Sequence, residues 1–125
     1  KSLEQTSHYS VKGEYNYEQA NFALETARYE LREVEIKIEV DIKNKYNELL
    51  NQNDNTQLAI KYYDLINRAY QIAKIKYDNG IITKQELLSS FEKQLDADYQ
   101  KLLEICSFNN KKAEFEVFIS QSINY

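Results

Sequence analysis

The chain has one imidazole, His8, and one thiol, Cys106, and neither has the company that metal binding or nucleophilic chemistry needs. A zinc site draws three or four ligands from closely spaced Cys, His and carboxylate groups. His8 has none at such spacing and is read as a surface residue. Cys106 cannot form an internal disulfide and is expected to be a packed thiol. There is no GxxxxGK, HExxH, GxSxG or paired-cysteine motif. With no nucleophile–base pair and no ligand cluster, neither enzyme activity nor a metal or cofactor is expected. The best-defined polar group is Thr83-Lys84-Gln85-Glu86, which has the spacing of a capping box. In that motif the Thr83 hydroxyl accepts from the Glu86 amide, while the Glu86 carboxylate reaches back to the Thr83 amide. Ile82 and Leu87 are placed to close a hydrophobic staple around it.

The elements that position these residues follow from composition. With two Gly and no Pro in 125 residues, the chain has few turn formers, so few and long helices in one domain are expected. Beginning at Lys1 and lacking Met, it reads as a mature chain or a piece of something larger. A net charge of −4, with Lys and Arg spread among the acids, argues against nucleic-acid binding. Apolar runs fall far short of the roughly 20 residues needed to span a bilayer, and no signal-peptide pattern opens the chain. No membrane contact is expected from this segment itself.

Residues 1–16, with Gly13 and no sustained periodicity, are expected to be an irregular lead-in. Asn16 and Gln19 have the spacing of a helix start. A helix is predicted from about 17 to 78, with an early seam at Ala20, Leu24, Ala27, Leu31, Val34 and Ile38. Lys74 and Lys76 suit a helix C-terminus, and Asn79-Gly80 supplies the left-handed residue that ends it. After a turn at 79–83, a second helix is predicted from about 84 to 120. So short a link makes the pair an antiparallel hairpin of unequal helices in an all-α fold. The alternative is a three-helix bundle, if the tract Asn51-Gln52-Asn53-Asp54-Asn55 is a loop. The register of Leu49, Thr56, Ala59 and Tyr63 across the tract favours a continuous helix.

Two heptad stripes run side by side between residues 56 and 77. One is Ala59, Tyr63, Ile66, Tyr70, Ala73 and Tyr77; the other is Leu58, Tyr62, Leu65, Ala69 and Ile72. A helix with two seams expects neighbours on two sides. The second helix carries Leu88, Phe91, Leu95, Tyr99, Leu102, Cys106, Ala113 and Val117 with an eleven-residue period, which favours straight or weakly right-handed packing, and towards its end Ile105, Phe108, Phe115 and Ile119 add a second apolar face.

The order Tyr17-x-x-Ala20, Leu24-x-x-Ala27, Leu31, Ile38-x-x-x-Ile42, Tyr46-x-x-Leu49, then Ala69-x-x-x-Ala73-x-x-x-Tyr77-x-x-Gly80-x-x-Thr83-x-x-Glu86-Leu87-Leu88 resembles the helical repeat of TolC-like outer-membrane efflux proteins. The part around Tyr77-Asp78-Asn79-Gly80 is the most specific. The resemblance covers most of this chain and about one of the two repeats in such proteins. It implies a homotrimer whose hairpins form a periplasmic tunnel in the cell envelope, docked by an adaptor protein and powered by an inner-membrane pump. It also implies that Tyr77 takes part in closing the entrance, that Asn79, Gly80 and Ile81 form the tip touched by the adaptor, and that Glu86 lines the constriction. Ile82 stands where the family has an arginine gate partner, and strands for a membrane barrel are missing unless residues 1–15 are the tail of one. The competing functional reading is a free-standing helical-bundle interaction module, with an extracellular or cell-surface location as the alternative setting.

Overall fold

The computed structural model describes residues 2–124, with side chains from Glu4 onward. It is all-α, with two helices of unequal length: α1, Ser2–Asp78, of 77 residues, and α2, Lys84–Ile123, of 40 residues. α1 runs unbroken through residues 51–55, so the chain is a helical hairpin and the three-helix alternative falls away. α1 ends at the expected Asp78 and α2 begins at the expected Lys84, continuing three residues past the predicted end at 120.

The expected irregular lead-in is instead helical: the described part of residues 1–16 belongs to α1 from Ser2, and Lys1 lies outside the described residues. Gly13 costs a helix interior about 1 kcal/mol, and without proline nothing in the segment blocks propagation. The expected helix start at Asn16 and Gln19 is likewise mid-helix. The Gln19 side-chain amide donates to the Tyr15 hydroxyl at 2.9 Å, one turn back, and caps nothing.

The chain divides into two units at Asp41 and Ile42. The first is the leading part of α1, in which every described residue from Glu4 to Lys37 is exposed. The second holds the hairpin, in which residues 42–78 of α1 run antiparallel to α2. Tyr46 stacks at a tilt on Phe115 with ring centroids 6.0 Å apart, and Tyr70 on Phe91 at 5.5 Å. The Gln94 amide donates to the Asn67 side-chain carbonyl at 3.1 Å. In each of these pairs the residue numbers sum to 161, so the register is constant along the hairpin and its midpoint falls between Gly80 and Ile81.

On α1 the packed face is the predicted seam Ala59, Tyr63, Ile66, Tyr70 and Ala73, carried back through Thr56, Gln52, Leu49, Lys45 and Ile42 in steps of three and four. On α2 the packed face departs from the eleven-residue stripe and takes in Phe108 and Phe115 of the second apolar face expected near the helix end. Leu87, Ser90, Gln94, Ala97, Lys101, Glu104 and Phe108 face inward, with Phe115 and Phe118 further on. Of the expected eleven-residue stripe, Phe91 packs on Tyr70, while Leu88, Leu95 and Leu102 turn outward at 50%, 49% and 52% exposure. A heptad on α1 in constant register needs a heptad opposite, and an eleven-residue stripe drifts off that line. Cys106 belongs to the outward stripe, so the expected packed thiol is exposed.

The centre of the hairpin is polar. Gln52 and Thr56 are buried, and Ala97 is the one buried apolar residue among those described. The Gln52 side-chain amide donates across the hairpin to Glu104 Oε2 at 2.5 Å and to its backbone oxygen at 3.3 Å. The Thr56 hydroxyl lies 2.8 Å from the Gln52 carbonyl and 3.1 Å from the Glu104 carbonyl, both acceptors. Lys101 Nζ sits 3.8 Å from the centre of the Tyr63 ring and 3.1 Å from Asp98 Oδ1, its cation held between a π face and a carboxylate.

Candidate functional site

The five residues singled out from the sequence lie together at one end of the hairpin. α1 closes in a Schellman motif: the Ile81 amide donates to the Lys76 carbonyl at 2.8 Å and the Gly80 amide to the Tyr77 carbonyl at 2.9 Å. Gly80 takes the left-handed conformation this geometry requires, with φ of 71°. Asn79 adds a second tie, its backbone amide at 3.1 Å and its side-chain amide at 2.8 Å both donating to the Ile75 carbonyl. These bonds use acceptors that a helix end otherwise leaves open to water, so the tip is held by its own backbone.

The capping box forms as its spacing predicts. The Glu86 amide donates to Thr83 Oγ1 at 3.2 Å, and the Thr83 amide donates to Glu86 Oε2 at 2.7 Å. Glu86 is therefore turned back on its own helix start through one oxygen. A carboxylate has room for further acceptor contacts, so capping leaves the second oxygen available to solvent or to a neighbour. Ile81 projects from the turn at 69% exposure, while Ile82 and Leu87, the staple residues, are half-buried. Tyr77 is 39% exposed beside the turn. The tip thus presents one apolar side chain and one aromatic edge on a rigid turn.

Along the hairpin two apolar stripes stay uncovered. On α1 these are Leu58, Tyr62, Leu65 and Ile72, between 53% and 65% exposed. On α2 they are Leu88, Leu95 and Leu102. The first set lies one residue before the packed positions of its helix and the second one residue after. Each residue step is about 100° of rotation, so in antiparallel helices the two sets emerge on opposite sides of the pair. A surface groove lined by Leu58, Ala59 and Tyr62 bears this out, because its α2 wall is Ala97, Gln100 and Glu104 and includes neither Leu95 nor Leu102.

Two features went unread in the sequence. The asparagine-rich tract, expected to stay helical, supplies Gln52, whose heptad position is the signal that it faces inward. The leading helix carries Tyr15, Phe22, Tyr29 and Ile36 at seven-residue intervals, all more than half exposed. That spacing was legible. Among the described residues no group of three metal-ligating side chains comes together, and no helix is long and apolar enough to cross a membrane. Set against protein-family models, curated proteins and solved structures, the chain matches none.

Proposed function

We propose that this chain is a tunnel-wall and tip segment of a TolC-like outer-membrane efflux or secretion channel. It is a non-catalytic part of a conduit for small molecules or polypeptides, in the periplasmic part of the cell envelope. The observation that carries this reading is the pair of uncovered apolar stripes on opposite sides of one hairpin. Two different patches on opposite sides make a heterologous contact, which repeats from copy to copy and closes into a ring when the rotation allows. Residues 42–125 hold eleven acidic and eleven basic side chains, so the hairpins of neighbouring copies meet no net repulsion.

In such a ring the Asn79-Gly80-Ile81 turns gather at one mouth, where Ile81 offers an adaptor protein an apolar contact on a rigid turn. Tyr77 beside it narrows the entrance. Repeated Glu86 carboxylates concentrate cations and repel anions at a constriction of low dielectric. Transport is driven by an inner-membrane pump, and the full protein is a homo-oligomer, a trimer by resemblance.

The test combines location with assembly. Cys106→Ser protein carrying Leu65→Cys and Leu95→Cys is oxidised in the source cells, which are then fractionated. The expected result is a cross-linked ladder that ends at a closed oligomer in the outer-membrane fraction, with Ile81→Asp blocking dye export at unchanged protein level. A cross-linked soluble oligomer absent from the envelope puts the helical interaction module in its place, and a monomer removes both.

A further inference from the structure

We propose that the leading helix carries a docking face for a basic partner helix: the rings of Tyr15, Phe22 and Tyr29 with the carboxylates of Glu18 and Glu25 beside them. The partner's chemistry follows from placement. Glu18 lies three residues after Tyr15 and four before Phe22, and Glu25 lies likewise between Phe22 and Tyr29. Residues three and four apart are neighbours on a helix surface, so each carboxylate stands beside two rings. The rings are 59%, 73% and 65% exposed, and the carboxylates are exposed with them. A shallow hollow lined by Tyr15, Glu18, Gln19 and Phe22 separates the first two rings.

The opposite flank is neutral and satisfied locally. Gln19 donates to the Tyr15 hydroxyl, and the Thr26 hydroxyl donates to the Phe22 carbonyl at 2.9 Å. The face is therefore one-sided, with an aromatic row and an acidic row whose pitch is seven residues, about 10.5 Å. It fits a helix whose apolar stripe packs on the rings and whose Lys or Arg side chains recur every seventh residue. Each cation then lies between a π face and a carboxylate. The hairpin of this same molecule holds Lys101 in that way, against Tyr63 and Asp98. The face ends after Tyr29, because the next hollow is lined by Arg32 and Lys37 as well as Glu33 and so brings its own cations.

Charge selects the occupant. Residues 1–41 hold nine acidic and five basic side chains, so the whole net charge of −4 resides there, while the hairpin is balanced. A second copy brings an equally acidic face and is repelled, as is an anionic lipid surface. A basic helix is attracted, the more so at low salt. This inference rests on the leading helix alone and does not depend on the channel reading.

The experiment measures fluorescence anisotropy of a labelled three-heptad peptide, with leucine along one stripe and one lysine per heptad beside it, against the full 125-residue chain. A second peptide of the same composition with irregularly placed lysines is the control. Ordered-peptide binding is expected to weaken with salt and to drop about ten-fold both in Glu18→Gln/Glu25→Gln and in Phe22→Ala, with Asn110→Ala in the hairpin unchanged. Circular dichroism checks that each variant keeps its helix. Equal binding of the two peptides, or binding indifferent to both leading-helix variants, overturns the proposal. So does sedimentation showing that Phe22→Ala dissociates an oligomer of the chain, since the occupant is then a second copy.

Discussion

Replacing Gln52 by leucine tests whether the polar centre of the hairpin sets its register. The substitution keeps side-chain size and removes the amide that donates to Glu104 Oε2 and to the Glu104 backbone carbonyl. Losing a hydrogen bond to a charged group costs about 1.5–3 kcal/mol and a neutral one about 0.5–1.5 kcal/mol. Burying leucine at a position only 6% exposed returns on the order of 1–2 kcal/mol. The expected net loss is about 2 kcal/mol, a fall of about 1 M in the urea midpoint followed by helical circular dichroism. Adding Thr56→Val and Glu104→Leu replaces every polar side chain of the cluster with an apolar one, and stability is expected to return to the wild-type level or above it. Register is expected to loosen at the same time. Cysteines at Asn67 and Gln94, in a Cys106→Ser background, report the native pairing, and cysteines at Asn67 and Lys101 report a slip of one heptad. The unmodified cluster should trap only the first pair and the apolar triple both. An unshifted midpoint in the single variant, or exclusive native pairing in the triple, refutes the role assigned to these residues.

Three other outcomes follow from particular residues. Gly80→Ala meets no atom within 4 Å but must hold a positive φ, so a loss of about 1 kcal/mol is expected by urea unfolding, wholly from backbone strain. Asn53→Pro falls inside a continuous helix and is expected to destabilise the hairpin by about 3 kcal/mol, where a loop would tolerate it with an unchanged midpoint. Hydrogen exchange followed by mass spectrometry is expected to be fast over residues 4–37, which pack on nothing in their own unit, and slow around Gln52, Thr56 and Ala97. Equal protection in both regions contradicts that division.

Local chemistry was legible in residues that act within a turn or two of themselves. Asn79-Gly80 and Thr83-Glu86 placed both helix ends correctly because a Schellman turn and a capping box are completed by neighbours in sequence. Scarcity of Gly and Pro fixed the helical class, and the spacing of Ala59, Tyr63, Ile66 and Tyr70 marked the packed face of α1. Residues 1–16 lack the apolar period that marks a packed helix, but propagation from the helix that follows requires only that no proline interrupts the backbone bonds, and the segment is helical from Ser2.

The tertiary structure decided which of two apolar stripes on α2 is covered. Periodicity gives the direction of a side chain around its own axis, and both stripes satisfied it. Only pairing with α1 at constant register, with Phe91 on Tyr70, Lys101 on Tyr63 and Gln52 bonding Glu104, turns one face inward and leaves Leu88, Leu95 and Leu102 in solvent. That selection depends on groups about 50 residues apart in sequence fitting each other in space, a relation that no single helix carries.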